Sequence, residues 1–347
     1  MLLPLLVALA TPPAGTLVVL NKSEATASLI DLATGQTVAT VATGEAPHEA
    51  AVSPDGRRAV ATNYGTRPRP GSSLTVIDVA EARALKTIAL PSCPRPHGVR
   101  FLDGRRLALT CEGARTLAVV DVDTGTIAAE VPTTQEVSHM VAVTPDGARA
   151  FVANIGSGTV TAVDLGRKVV LAQIPTGKGA EGIELTPDGR ELWVTNREAD
   201  TVAIVDPTSL KVVASLPSAS FPIRVAFTPD GRHALVSNAR SGDLAVFDRK
   251  ARREIARVSM KSLARAPEAG EPARLATTLA GGAGPAPVGI LVPPGGGVAY
   301  VANTNADLVA VVDLETWTVT GTLKAGKEPD GMAYSPLVAT PIPPARQ

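Results

Sequence analysis

Aromatic residues are scarce in this chain: two Trp, three Tyr and five Phe make up 3% of 347 residues. The core must then be built from Val, Ala, Leu and Ile, the residues of closely stacked sheets. A charge of one sign is also missing, because 33 Lys+Arg balance 33 Asp+Glu. No net field draws the protein to nucleic acid or an anionic membrane surface, so neither is an expected partner. No segment reaches the roughly 20 apolar residues of a membrane span. The C-x-x-C-H motif is absent, which excludes covalent c-type haem attachment. Glycine (31) and proline (29) are plentiful instead, and they recur at intervals as turn punctuation does in all-β chains.

One turn repeats. Ser53–Gly56 reads SPDG, while Thr144–Gly147, Thr186–Gly189 and Thr228–Gly231 read TPDG. Proline presets φ at the corner, Asp caps locally, and Gly takes the positive φ that closes the hairpin. After each turn come two apolar segments, the second closed by Asp at 31, 78, 121, 164, 206, 248 and 313. The steps between these positions are 47, 43, 43, 42, 42 and 65 residues. Four short alternating strands per unit, repeated seven times, predict an all-β fold: a seven-bladed β-propeller with four antiparallel strands per blade. Residues 16–43 hold three strands, and the segment DGMAYS at 330–335 holds a lone fourth. The propeller of residues 15–335 is therefore expected to close by pairing N-terminal strands with a C-terminal innermost strand, which removes open edges. A single chain closed in this way is expected to be a monomer. Residues 336–347 read as a disordered tail.

Two stretches stand outside the repeat. MLLPLLVALA ends in Ala8-Leu9-Ala10 before Thr11, the grammar of an export signal, though no Lys or Arg precedes the apolar run. On that reading residues 1–14 are a signal and the protein is periplasmic or secreted. On the other, they are a strand extension or disordered and the protein is cytoplasmic. The Ala/Pro/Gly-rich insertion at about 260–287 is either a lid or a loose connection, with a helical turn conceivable near Arg274 to Leu279.

Set in register, the innermost strands are headed by His48, His97, His139, Glu181, Ile223, Val288 and Asp330. Three of the four histidines thus share one structural position at the mouth of the central channel. Asn21, Asn63, Asn154, Asn196, Asn238 and Asn303 end the second strands and reach the same face, with Cys111 in the Asn position of blade three. Arg67, Arg69, Arg95, Arg197 and Arg224 fall in or beside loops there, suiting a ligand carboxylate or phosphate or simply decorating solvated loops. Tyr64 adds an aromatic wall or ends its strand. The candidate ligand rim is His48, His97, His139, Glu181, Arg224, Asp330 and Tyr64. His48, His97 and His139 are candidate ligands for zinc or copper, although the sequence requires no cofactor. Strict alternation argues otherwise: it sends these heads toward the crevice between blades, with the apolar positions three and five. Cys93 and Cys111 form either a disulfide, in keeping with an oxidising compartment, or two separate thiols.

AFVANIGSGTVTAVDL, LWVTNREADTVAIVD and AYVANTNADLVAVVD resemble the YVTN family of β-propeller repeats, from about Gly15 to Ser335. The resemblance implies a propeller and is compatible with export, since that family includes secreted and periplasmic members. APHEAAVSPDGRRAVATNYG is similar to repeats of lactonase-type seven-bladed propellers, which hydrolyse sugar lactones. That likeness implies a His or Glu181 as general base and an Arg as substrate anchor. Related oxidoreductase propellers hold a haem or quinone over the channel. Three functions stay open: a scaffold binding a protein, peptide or small molecule at the channel mouth, a lactone hydrolase, and a metal or cofactor protein.

Overall fold

The computed structural model describes residues 13–266 and 284–340. Residues 1–12 of the expected signal at 1–14, the middle of the insertion with Arg274–Leu279, and residues 341–347 lie outside the described residues. No helix among the described residues is long and apolar enough to cross a membrane.

The described residues form seven antiparallel four-stranded sheets. Six are built in chain order from the innermost strand outward. The first combines Thr16–Asn21, Thr26–Asp31 and Gln36–Ala42 with the C-terminal strand Pro329–Ser335 on the inside. Thr16 faces Ser335 and Val19 faces Met332 in that closing pair. Each innermost strand lies against the next, and that of blade seven (Pro287–Leu291) lies against Pro329–Ser335, so the ring is complete. The architecture is the seven-bladed propeller expected from the repeat.

Burial follows from this stacking. Second strands are covered on both faces, as in Thr16–Asn21 and Val298–Asn303, while outermost strands such as Thr126–Pro132 alternate between exposed and covered. The core is a series of seams between neighbouring blades. Val60, Leu74 and Val76 of blade two meet Val99, Leu107 and Leu109 of blade three. Trp193, fully buried between blades five and six, meets Phe227 and Phe247 edge-on.

The Pro-Asp-Gly turns close as their chemistry dictates. Ser53, Thr144, Thr186 and Thr228 each donate a 2.6 Å hydrogen bond to the turn aspartate, Asp55, Asp146, Asp188 and Asp230. The following glycines have φ between 67° and 76°. Hydroxyl and backbone donors hold the Asp55, Asp146 and Asp230 carboxyls below their usual range. At Asp188 burial works the other way, but Thr186, the Arg190 N–H and Arg249 outweigh it and take the carboxyl down to about 2. A depressed carboxyl stabilises the fold above the unfolded value of about 4. That contribution fades as pH falls through the folded value. The contribution of these turn aspartates is thus expected to be flat from neutral pH to about 4 and to fall toward pH 2, as the difference in denaturant midpoint between wild type and Asp188→Asn across that range will report.

Residues 336–340 correct one expectation. They are an ordered strap rather than part of a disordered tail. Thr16 Oγ1 donates to the Leu337 carbonyl (2.8 Å) and accepts from the Ala339 N–H (2.9 Å), and Thr340 N–H bonds the Ala80 carbonyl. Ala339 is buried in the seam between blades one and two, with Val18, Ala59 and Ile77, which explains the order.

Candidate ligand and metal site at the channel mouth

The innermost strands share an irregularity that creates the site. In blade two, Pro47 pairs with Asn63 but Ala50 pairs with Ala61, so one residue is extra on the inner strand. The same bulge recurs in all seven blades. A bulge breaks the period of two and re-aims side chains. The residue two before each head is also left-handed: Ala46, Arg95, Val137, Gly179, Phe221, Ala286 and Glu328. Six of these seven are not glycine, a conformation that persists only when its surroundings over-determine it. Here the fixing bond is visible. Each of these carbonyls accepts the N–H of the residue after the Asn position: Tyr64, Glu112, Ile155, Arg197, Ala239, Thr304 and Lys22.

Two stacked rings result. The seven heads form one, and all of them line a single cavity of about 240 Å³. Lys22, Tyr64, Glu112, Ile155, Arg197 and Ala239, from the second ring, line the same cavity. The bulge overrides the strict alternation expected of these strands: it turns the histidines away from the blade crevices and into one cluster. His97 stacks on His139 with ring centres 3.6 Å apart, and His48 lies 5.2 Å from His97 and 4.3 Å from Tyr64.

The charges are interlocked. His139 Nδ1 meets Glu112 Oε1, and its Nε2 lies 3.4 Å from Glu181 Oε1. Tyr64 donates its hydroxyl to the other Glu112 oxygen. Arg197 bonds Glu181 at 2.7 Å. Arg224 crosses the channel from blade six to Glu181 (3.2 Å) and Glu49 (2.6 Å). Further along the strands, Arg100 and Glu184 form a second bridge at 2.9 Å. Lys22 pairs with Asp330 at 3.1 Å.

Ionisation follows from these contacts. Burial disfavours a charge on His139, but Glu112 and Glu181 outweigh it and raise its pKa. Burial likewise opposes the Glu181 charge, yet Arg197, His139 and Arg224 hold its carboxyl far below the usual range. Glu112 is lowered by His139 and the Tyr64 hydroxyl against its own burial. Burial, reinforced by the Lys22 charge, takes His48 down to about 4. Burial and the neighbouring His139 charge push His97 well below its ordinary value.

Residues 42–276 match the Lactonase, 7-bladed beta-propeller family. The chain belongs to that family. A 51-residue stretch is 45% identical to the PE-PGRS family protein PE_PGRS18 of Mycobacterium tuberculosis, spanning 15% of this chain and 11% of that one. Kuenenia stuttgartiensis hydrazine synthase shares the fold at TM-score 0.69 and 20% identity, over 84% of this chain and 90% of its own. A functionally unknown protein from Desulfotomaculum acetoxidans does so at TM-score 0.73 and 13% identity, over 95% and 100%.

In this lactonase-family propeller, the expected rim residues His48, His97, His139, Glu181, Arg224, Asp330 and Tyr64 all line the one cavity. Among the described residues, the donor atoms placed closely enough to hold an ion are those of His97, Glu112 and His139, with Glu112 in place of the expected His48. His48 Nδ1 is engaged by the Ala46 carbonyl at 2.8 Å. Arg95 lies over the Tyr64 ring outside the cavity wall, and Arg69 pairs with Glu45. The asparagines serve the blades rather than a ligand. Asn63, for example, bonds Gly44 N–H, Ser73 and Thr75. Glu49, Glu112 and Lys22 escaped the sequence reading. Counting one residue past each Asn position would have found two of them.

Cys93 and Cys111 are joined in a disulfide. Cys93 stands four residues before its head, where Gly44 and Gly326 stand in blades two and one. A Cβ on Gly44 would lie 2.4 Å from Asn63 Cγ. The disulfide thus takes the place of a Gly–Asn contact in the one blade that has Cys at the Asn position.

Proposed function

We propose that this protein is a binding propeller whose channel-mouth cavity takes one small organic ligand. The supporting observation is that head residues of all seven blades enclose one cavity with two unlike arcs. Asp330, His48, His97, His139 and Glu181 make the polar arc, and Ile223 and Val288 the apolar one. At about 240 Å³ it falls below the roughly 300–1,000 Å³ of drug-sized clefts, which favours a small molecule over a peptide or protein. Lys22, Arg197, Arg224 and His139 offset Glu49, Glu112, Glu181 and Asp330 before any ligand arrives. The wall therefore suits a ligand of little net charge. His97 Nδ1 and Asp330 Oδ1 are buried without hydrogen-bond partners, which calls for hydroxyl or N–H groups on the polar edge of the ligand and hydrocarbon on the other. The disulfide supports an exported protein in an oxidising compartment.

Calorimetry against a panel of small polyols, amides and lactones tests this. Val288→Trp fills the apolar arc without touching a charge and is expected to weaken any hit by at least about tenfold, about 1.4 kcal/mol. Equal affinity in wild type and Val288→Trp would place the ligand elsewhere and end this reading.

Family membership favours a second reading, lactone hydrolysis. His97, with an imidazole nitrogen lacking any partner, is then the general base, and Arg197 or Arg224 the anchor. A pH-stat assay over sugar lactones decides it: turnover falling by on the order of 100-fold in His97→Ala supports hydrolysis, and unchanged turnover refutes it.

A further inference from the structure

We propose that His97, Glu112 and His139 form a binding site for one divalent transition-metal ion, zinc before others. One nitrogen of each imidazole and one carboxylate oxygen lie within 4.8 Å of one another, and all three residues are buried. Two histidines and one carboxylate, with room left for a further ligand, are a donor set of catalytic zinc and of non-haem iron.

The surroundings are those of a metal site's outer shell. A metal-bound imidazole usually donates its other N–H to a carboxylate, which fixes the tautomer. His139 has a carboxylate placed for this: Glu181 Oε1 lies 3.4 Å from its Nε2, so a proton held there would leave Nδ1 for the ion. Glu181 is itself held by Arg197 and Arg224. On the facing side, His139 Nδ1 meets Glu112 Oε1, two groups that both carry lone pairs once Nε2 holds the proton. Tyr64 orients the carboxylate from behind by bonding its second oxygen. His97 completes the trio, and its buried Nδ1 has no hydrogen-bond partner. An unsatisfied buried polar atom is rare enough to require a reason, and an ion bound by the ring supplies one.

The trio must rearrange to hold the ion: His139 and Glu112, now in direct hydrogen-bond contact, open slightly, and His97 draws inward. Zinc bonds of 2.0–2.1 Å in a tetrahedron put donors about 3.3 Å apart, so the widest present separation closes by about 1.5 Å. The stacked His97 and His139 rings must also open so that their in-plane lone pairs converge. His48 stays outside the set, since Ala46 engages its Nδ1. Metal ligands must be deprotonated, so binding is expected to be pH-dependent and to release protons. The remaining coordination position opens to the cavity.

The full chain, stripped with EDTA and dialysed, is titrated with zinc chloride by calorimetry in buffers of different ionisation enthalpy. Elemental analysis and the absorption spectrum of the cobalt(II) form accompany the titration. One zinc per chain with net proton release is expected. Glu112→Gln keeps the shape of the side chain and is expected to weaken binding by on the order of 100-fold or more, beyond the ~10–100-fold of an outer-shell loss such as Tyr64→Phe. His233→Ala, which removes the histidine outside the cavity, binds like wild type. If wild type shows no saturable zinc binding, or Glu112→Gln binds zinc as wild type does, the assignment fails. Should His97→Ala not fold, the near-isosteric Glu112→Gln still decides. A metal-free protein that binds an organic ligand sinks this inference alone, whereas a zinc protein blind to every organic compound sinks the ligand reading alone.

Discussion

Replacing Arg224 with methionine is expected to lower folding stability by about 3–5 kcal/mol, the usual cost of removing one partner from a buried ion pair. The Arg224 side chain is about 10% exposed and bridges Glu49 of blade two with Glu181 of blade five. Burial opposes its charge, yet Glu49, Glu181 and Asp330 prevail and hold the guanidinium above its ordinary pKa. Methionine approximates the volume but leaves the Glu49 carboxylate without its 2.6 Å partner and strips Glu181 of one of its two arginines. Arg224→Lys is expected to fall between, because a point charge cannot span both carboxylates as a planar fork does. Adding Glu49→Gln to Arg224→Met should recover part of the loss, since the stranded charge disappears with its partner. Guanidinium unfolding of the three variants measures this. A loss under about 1 kcal/mol for Arg224→Met, the size of an ordinary surface change, would mean that water reaches the carboxylates and the bridge is not structural.

The second large effect lies in blade three. Converting Cys93 and Cys111 together to alanine is expected to cost about 3 kcal/mol, the loop-entropy value for a link across 18 residues. Cys93→Gly with Cys111→Asn installs the pair that blades one and two use, in which Asn21 and Asn63 accept the glycine N–H at 3.0 and 2.9 Å. This second variant is expected to regain up to about 1 kcal/mol over the alanine pair, one buried hydrogen bond's worth, as the residue-93 N–H, which now donates to the Leu90 carbonyl at 2.9 Å, turns to the new Asn. It should also lose any dependence on reductant. Denaturant midpoints with and without dithiothreitol report both outcomes. A Gly/Asn chain no more stable than the Ala/Ala chain would show that the equivalence is one of position only.

The propeller was legible because Pro-Asp-Gly turns carry their own mechanism and recur at a nearly constant step. The head ring was legible for the same reason, since equivalent repeat positions must converge around an axis. What sequence could not supply was parity. A period of two sends His48, His97 and His139 toward the crevices with Ala50, Val99 and Val141. One extra residue in each inner strand reverses that, and glycine marks the bulge in only four of the seven blades, at Gly98, Gly182, Gly289 and Gly331. Glu112 was hidden differently. Its equivalents are Lys22, Tyr64, Ile155, Arg197, Ala239 and Thr304, which share a hydrogen bond and no chemistry. Glu49 could have been noticed as a departure, for Gly98, Gly182, Gly289 and Gly331 fill that position in four of the other six blades, with Met140 and Arg224 in the remaining two. At Gly98, Gly182 and Gly331 a Cβ would press on backbone of the adjoining inner strand.

Asp330 arrives on the final strand and Lys22 follows the first, yet both stand in the wall of one chamber. A molecule whose last strand has not docked owns most of a wall with a gap where Asp330 belongs. Completing the circle and finishing the chamber are a single event, and an occupant that touches Asp330 draws the open form toward the closed one by mass action. Occupancy then acts as a keystone, felt at the two places where the polypeptide starts and ends its tour of the axis.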